Sequence, residues 1–278
     1  MVLASAGRVA SRQHRGRVFV YTYEMSWASR RRTFVVGGVL AILIGVIAVV
    51  LVATLYDVPS CTDSTRNQGE DGIDCGGPCA YLCRASVAAP SVRFVRQLAL
   101  SGGRTDVIAY IDNPNPLAAA RGARFSIELY GPDNVILATK EGVVDLPPSS
   151  TVPVFVPEFF SGYQHVARAF LIFDEESLHW FRLSEKPIVP SVTDITLETG
   201  ETPRVRANLG NAGSRPVYDV VAVATAFDAS GNAIAASRTV IALIAAHGAA
   251  EAVFTWNESF SALPARVEVV PVVPLASP

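Results

Sequence analysis

From Thr33 to Tyr56 the chain reads TFVVGGVLAILIGVIAVVLVATLY, twenty-four residues without a charge. As a helix this stretch would run about 36 Å, at about 1.5 Å per residue. The hydrocarbon core of a bilayer is about 30 Å thick, so the stretch is long enough to span it with some tilt. Arg30, Arg31 and Arg32 stand directly before it, and Asp57 is the first charge after it. Basic residues mark the cytoplasmic side of a span. The pattern therefore predicts a single-pass plasma-membrane protein with its N-terminus inside and all later residues outside the cytoplasm.

The charge distribution agrees. Residues 1–32 carry seven arginines and one acid, a net of +6, while the rest carries 16 basic and 24 acidic residues, a net of −8. An acidic body without a basic stripe argues against nucleic acid as a partner. A cleaved signal peptide would have an apolar core of only 7–15 residues and end at a small-residue site, whereas this stretch ends in Tyr56-Asp57-Val58. Lipidation at Cys61 would strand three cysteines behind a poorly placed Pro59. An uncleaved signal anchor is the reading that fits. Residues 1–24 leave two readings open. Translation starts at Met25, which alone opens a short tail and anchor, or residues 1–24 form a disordered basic arm against anionic lipid.

All four cysteines fall within residues 61–83, at Cys61, Cys75, Cys79 and Cys83. An even count outside the cytoplasm predicts two disulfides, with three pairings open. Asp63, Asn67, Glu70, Asp71 and Asp74 add oxygen ligands over twelve positions. Three readings stand: a calcium site built from these five residues, turn capping by the same side chains, or zinc held by all four cysteines.

The pattern Cys61-x-Asp63-x-x-x-Asn67-Gln68-Gly69-Glu70-x-Gly72-x-Asp74-Cys75-Gly76-Gly77-x-Cys79 resembles a short cysteine motif of bacterial surface proteins. Those proteins carry it just outside a membrane anchor or between β-sandwich domains. The resemblance covers under a tenth of the chain and implies a surface location.

From Val92 onward the pattern alternates and is rich in β-branched residues and in Gly, Pro and Asn turns, which predicts sandwiches. The two halves match in four blocks. Asn113 answers to Asn211, Phe155 to Phe254 and Arg168 to Arg266, at offsets of 98 or 99 residues. Gly131-Pro-Asp-Asn134 and Ala229-Ser-Gly-Asn232 read as hairpin turns. The halves resemble small bacterial sandwich modules with an FxLYD signature, approximated by Glu128-Leu129-Tyr130 and Thr225-Ala226-Phe227-Asp228. That resemblance implies a binding or spacer module rather than a catalyst.

The predicted fold is thus an all-β extracytoplasmic part, two tandem immunoglobulin-like β-sandwiches, after one N-terminal transmembrane α-helix and a small cysteine-rich loop. Its parts are a basic, disordered cytoplasmic tail (1–32), the helix (33–56), an acidic neck (57–90), sandwich one (91–186), a linker (187–191) and sandwich two (192–278).

HExxH, GxSxG, GxGxxG and P-loop patterns do not occur. Glu158, Asp174, Glu175 and Glu176 read as turn acids, the sequon Asn257-Glu-Ser259 as chance, and the chain as a non-enzyme. Phe159, Phe160, Tyr163, His165, Trp180 and Trp256 are candidates for an aromatic patch, or for burial between sheets. The predicted function is presentation of two sandwiches for binding a protein or glycan, for adhesion or for envelope assembly; the alternative is a stalk with no ligand. A binder should show a contiguous exposed apolar or aromatic patch on one sandwich.

Overall fold

A computed structural model describes residues 27–55, 60–183 and 187–276, in two compact units that divide at Val58/Pro59. The first contains one helix, α1 (Trp27–Leu55), long and apolar enough to cross a membrane. It starts six residues before the uncharged stretch and includes all three arginines. No glycine or proline lies between Trp27 and Arg32, so nothing interrupts the i to i−4 ladder there. The Thr33 and Thr54 hydroxyls donate to the Ser29 and Val50 carbonyls at 3.0 and 2.7 Å, which removes free polar groups from an apolar surface. The predicted basic arm, the Met25 start, Tyr56 and Lys186, the last residue of predicted sandwich one, lie outside the described residues.

In the second unit, antiparallel strands form four sheets among the described residues. In the first half, β1 (Ser91–Ala99), β2 (Arg104–Asn113) and β5 (Ser150–Ser161) pair in the order β1-β2-β5. Facing them, β3 (Ala118–Tyr130), β4 (Ile136–Leu146) and β6 (Arg168–Phe173) pair in the order β4-β3-β6, and the short β7 (Trp180–Arg182) pairs with β3 as well. The second half repeats the scheme. Its sheets are β12-β9-β8, from β8 (Ser191–Glu198), β9 (Arg204–Gly210) and β12 (Ala249–Thr255), and β11-β10-β13, from β10 (Val217–Phe227), β11 (Ala233–Ile244) and β13 (Arg266–Val272).

Each half encloses its own core. Val107, Ala109 and Ile111 of β2 meet Phe125, Ile127 and Leu129 of β3. Ala222, Ala224 and Ala226 of β10 meet Val205, Ala207 and Leu209 of β9. A strand's side chains alternate between its faces, so the intervening residues of β2 and β10 point the other way, and they too are buried. Ile108, Tyr110, Val223 and Phe227 form a third core with Leu98, Phe155, Ala233 and Ala236. The β1-β2-β5 sheet thus lies against the β11-β10-β13 sheet, and the unit is a stack of four sheets. Within this junction the Tyr110 hydroxyl donates to Thr225 Oγ1 at 3.0 Å. The Tyr110 ring stacks on Phe94 and meets Phe227 edge-on, and the Arg266 guanidinium lies 4.2 Å above Phe227.

A buried asparagine ties each half together. Asn113 Nδ2 donates to the carbonyls of Ala118, Leu146 and Pro147, and its Oδ1 accepts from the Asn115 amide. Asn211 does the same with Arg215, Ile244, Ala245 and the Gly213 amide. Three of those four contacts fall 98 residues after their counterparts. Both hairpin turns form where the sequence places them, with Asn134 and Gly231 at positive φ.

Replacing Asn113 or Asn211 by alanine strands buried carbonyls, and each variant is expected to lose on the order of 3 kcal/mol of stability in denaturant unfolding. Burial pushes the Tyr110 hydroxyl up to about 12. Its neutral form stabilises the fold fully below pH 10, and that contribution is lost as pH rises through 12. Wild-type melting temperatures should therefore fall over this range more steeply than those of Tyr110→Phe.

Candidate functional site: the disulfide neck and the outer face of the first sandwich

The neck is closed by Cys61–Cys79 and Cys75–Cys83, one of the three pairings open to the sequence. No thiolate remains in it for zinc. Short closures force close approaches. Gly77, at φ +55°, would put a β-carbon 2.1 Å from the Gly69 carbonyl, and one on Gly72 would meet the sulfurs of Cys75 and Cys83. Only glycine fits either place.

The acidic side chains mostly serve the neck's own backbone. Asp63 accepts from the Ser60 and Thr65 amides and from Asn67 Nδ2. The Asn67 amide and then the Ser60 N–H hold the Asp63 carboxyl below its ordinary value. Asp74 takes the Ser64 amide with both oxygens, and Asp71 takes the Gly77 amide. Glu70, only 4% exposed, accepts from the Asp74 amide and lays its other oxygen 3.1 Å from Cys79 Sγ. These are turn caps. Among the described residues, one trio of potential ligand groups gathers here, Cys61, Glu70 and Cys79, and its two sulfurs are bonded to each other. Asp63, Asp71 and Asp74 join no such group, and Asn67 Oδ1 is buried without a hydrogen-bond partner.

The neck is fixed to the first sandwich. The Leu82 amide donates to the Trp180 carbonyl and the Arg182 amide to the Ala80 carbonyl, so residues 80–82 extend the sheet beyond β7. Asn115 holds Ala88 by both N–H and C=O, and Arg84 pairs with Glu175. A groove of about 470 Å³ lies between the disulfides and the Leu178–Trp180 segment.

The other sequence candidates scatter. Phe159, Trp180 and Trp256 are buried and Phe160 is half-buried, while Tyr163 (95% exposed) and His165 are exposed on a loop. His179 and His247 are exposed in separate loops, and His14 lies outside the described residues. Asp174 pairs with Arg124 and caps the turn that contains Glu175 and Glu176, and the Glu158 amide donates to Asp106.

Exposed apolar side chains stand elsewhere, at Tyr218, Val240 and Leu243 of β10 and β11 in the second half and on the outer face of the β4-β3-β6 sheet in the first. Val143 (68% exposed), Ile172 (49%), Phe170 (47%) and Ile136 stand on it, with the Tyr130 ring edge-on to Phe170. The small Ser126 pairs with Ile172 on one side and Glu141 on the other. It floors a groove of about 520 Å³, walled by Val143 and Ile172 and ended by the Arg124–Asp174 ion pair. The outer sheet of the second half, β12-β9-β8, is polar, with Arg206 between Glu198 and Glu251 and Asn208 on Asp194. In RAFLIF, residues 168–173, both parities are apolar after the arginine. That was the available signal for a strand apolar on its outer face.

No protein-family model matches the chain, and no curated protein matches it. Among solved structures, the chain is similar to red sea bream transglutaminase, with 13% identity and a TM-score of 0.24, over 69% of this chain and 32% of that one. The chain thus spans about a third of that protein.

Peptide mapping of unreduced protein should return only the 61–79 and 75–83 linkages. Gly77→Ala, strained at φ +55° and in clash, is expected to lower stability by about 1–3 kcal/mol. Because backbone amides already occupy the carboxylates, millimolar calcium should leave the melting temperature unchanged.

Proposed function

We propose that the chain is a membrane-anchored cell-envelope protein whose sandwiches bind a protein or glycan partner outside the cytoplasm. The observation that carries the binding role is the apolar outer face of the first sandwich, set against the polar outer face of the second. Apolar side chains that wall an open groove suit a partner that covers them. The anchor is α1, and the arginines at its start favour a cytoplasmic N-terminus. Two disulfides in residues 61–83 fit an oxidising compartment. The two halves are read as copies of one immunoglobulin-like module, supported by their matching strand orders and by the shared asparagine bonds. The role is read as binding rather than catalysis, a reading supported by the placement of His165, His179 and His247 in three separate loops.

The stack of sheets weighs against a stalk. Domains gain reach when they are joined end to end, and burying both inner sheets against each other gives that reach up.

Two measurements test this reading. Protease applied to intact cells should cleave within residues 60–276, and cleavage only in inverted vesicles would reverse the orientation. Full-length chain carrying Val143→Asp and Ile172→Asp should lose partners that wild type retains from envelope extract, while Glu251→Lys on the other outer sheet keeps them. Identical capture by all three would remove the binding role from this face.

A further inference from the structure

After β13 the chain leaves the second sandwich and crosses to the first. Pro274 has no N–H for a ladder, and Val273–Ala276 runs on outside any strand pair. Leu275, only 3% exposed, enters a socket of Ala119 and Phe181 with Leu183 beside it. Its amide donates to Asp145 Oδ2 at 2.9 Å, and Asp145 Oδ1 accepts from the Gly122 amide at 2.8 Å, which fixes the carboxylate in place.

Three cavities, of about 450, 300 and 270 Å³, flank this segment, and Val273 lines all three. The segment thus runs along a channel bordered by three part-open cavities. Beyond the cavity walls that Val273 and Pro274 share with Val143 and Val152, its hold on the far sandwich is a leucine side chain and a backbone N–H, slight beside that of a paired strand.

We propose that Val273–Ala276 is an exchangeable strap, and that the channel receives the same segment of a second copy of this chain. The channel's fit to that segment is already on view, as an apolar socket for leucine beside a carboxylate placed for its amide. Reciprocal exchange reuses these contacts and requires no new complementary surface. The inference does not depend on the binding role of the outer face or on the direction of the helix.

A fluorescent peptide of residues 270–276 tests it. Full chain ending after Val272 should bind the peptide at least about tenfold more tightly than the intact chain, whose own strap competes for the channel. A peptide with alanine in place of Leu275 should bind at least about tenfold more weakly. Leu275→Asp in the otherwise intact chain keeps every residue but empties the socket, and should bind like the shortened chain. The proposal is overturned if both vacated chains, with native circular dichroism and intact disulfides, bind no peptide or bind the two peptides alike. Two differently tagged intact chains, warmed together and cooled, should co-purify, and should not when both carry Leu275→Asp. Failure of the intact chains to co-purify would also overturn it.

Discussion

Burial of β2 and β10 on both faces is the constraint to which the rest of the β unit answers. A strand that is apolar on one side needs one partner layer, and a strand that is apolar on both needs two. The inner sheets supply each other's second layer, with Tyr110, Phe94 and Phe227 as the bulky contacts. Once they face each other, the two outer sheets carry broad solvent faces, while Tyr218, Val240 and Leu243 of the inner strands β10 and β11 also stay exposed. The difference between those two surfaces is then the main asymmetry available to a partner.

Much of this was legible in the residues. The uncharged stretch marked the helix, the alternation marked the strands, and the 98-residue offset placed Asn211 in the same local role as Asn113. The helix start was not legible, because a helix ends where its ladder is broken, not where hydropathy changes, and Ala28 to Arg32 break nothing. The meeting of the inner sheets was present only as a hint. Residues 107–111, VIAYI, lack the polar alternation of a strand with one wet face, but periodicity does not name which sheet covers the second side. The crossing of Leu275 to Phe181 joins residues more than ninety apart and leaves no local pattern.

The neck shows a different limit. Four acids and an asparagine near glycines suit a cation loop and a set of turn caps equally well, since both need oxygen atoms at close sequence spacing. What separates them is where backbone amides point, and that is set by the crossed disulfides. With 61–79 and 75–83 closed, Asp63, Asp71 and Asp74 each face a nearby N–H. The aromatic candidates divided for a comparable reason. Trp180 and Trp256 lie near strand ends, where a ring packs inward whenever the facing sheet leaves space for it.

The crossed disulfides also decide how the molecule would respond to tension. Without them, residues 61–83 could extend to about 75 Å at about 3.4 Å per residue. With them, the covalent route from Cys61 passes across 5.7 Å between α-carbons to Cys79, then along four residues to Cys83, about 20 Å in all. Pulling on the segment before Cys61 therefore yields little slack. The load reaches the Leu82–Trp180 and Arg182–Ala80 hydrogen bonds almost at once, so the first sandwich is the part that feels the pull.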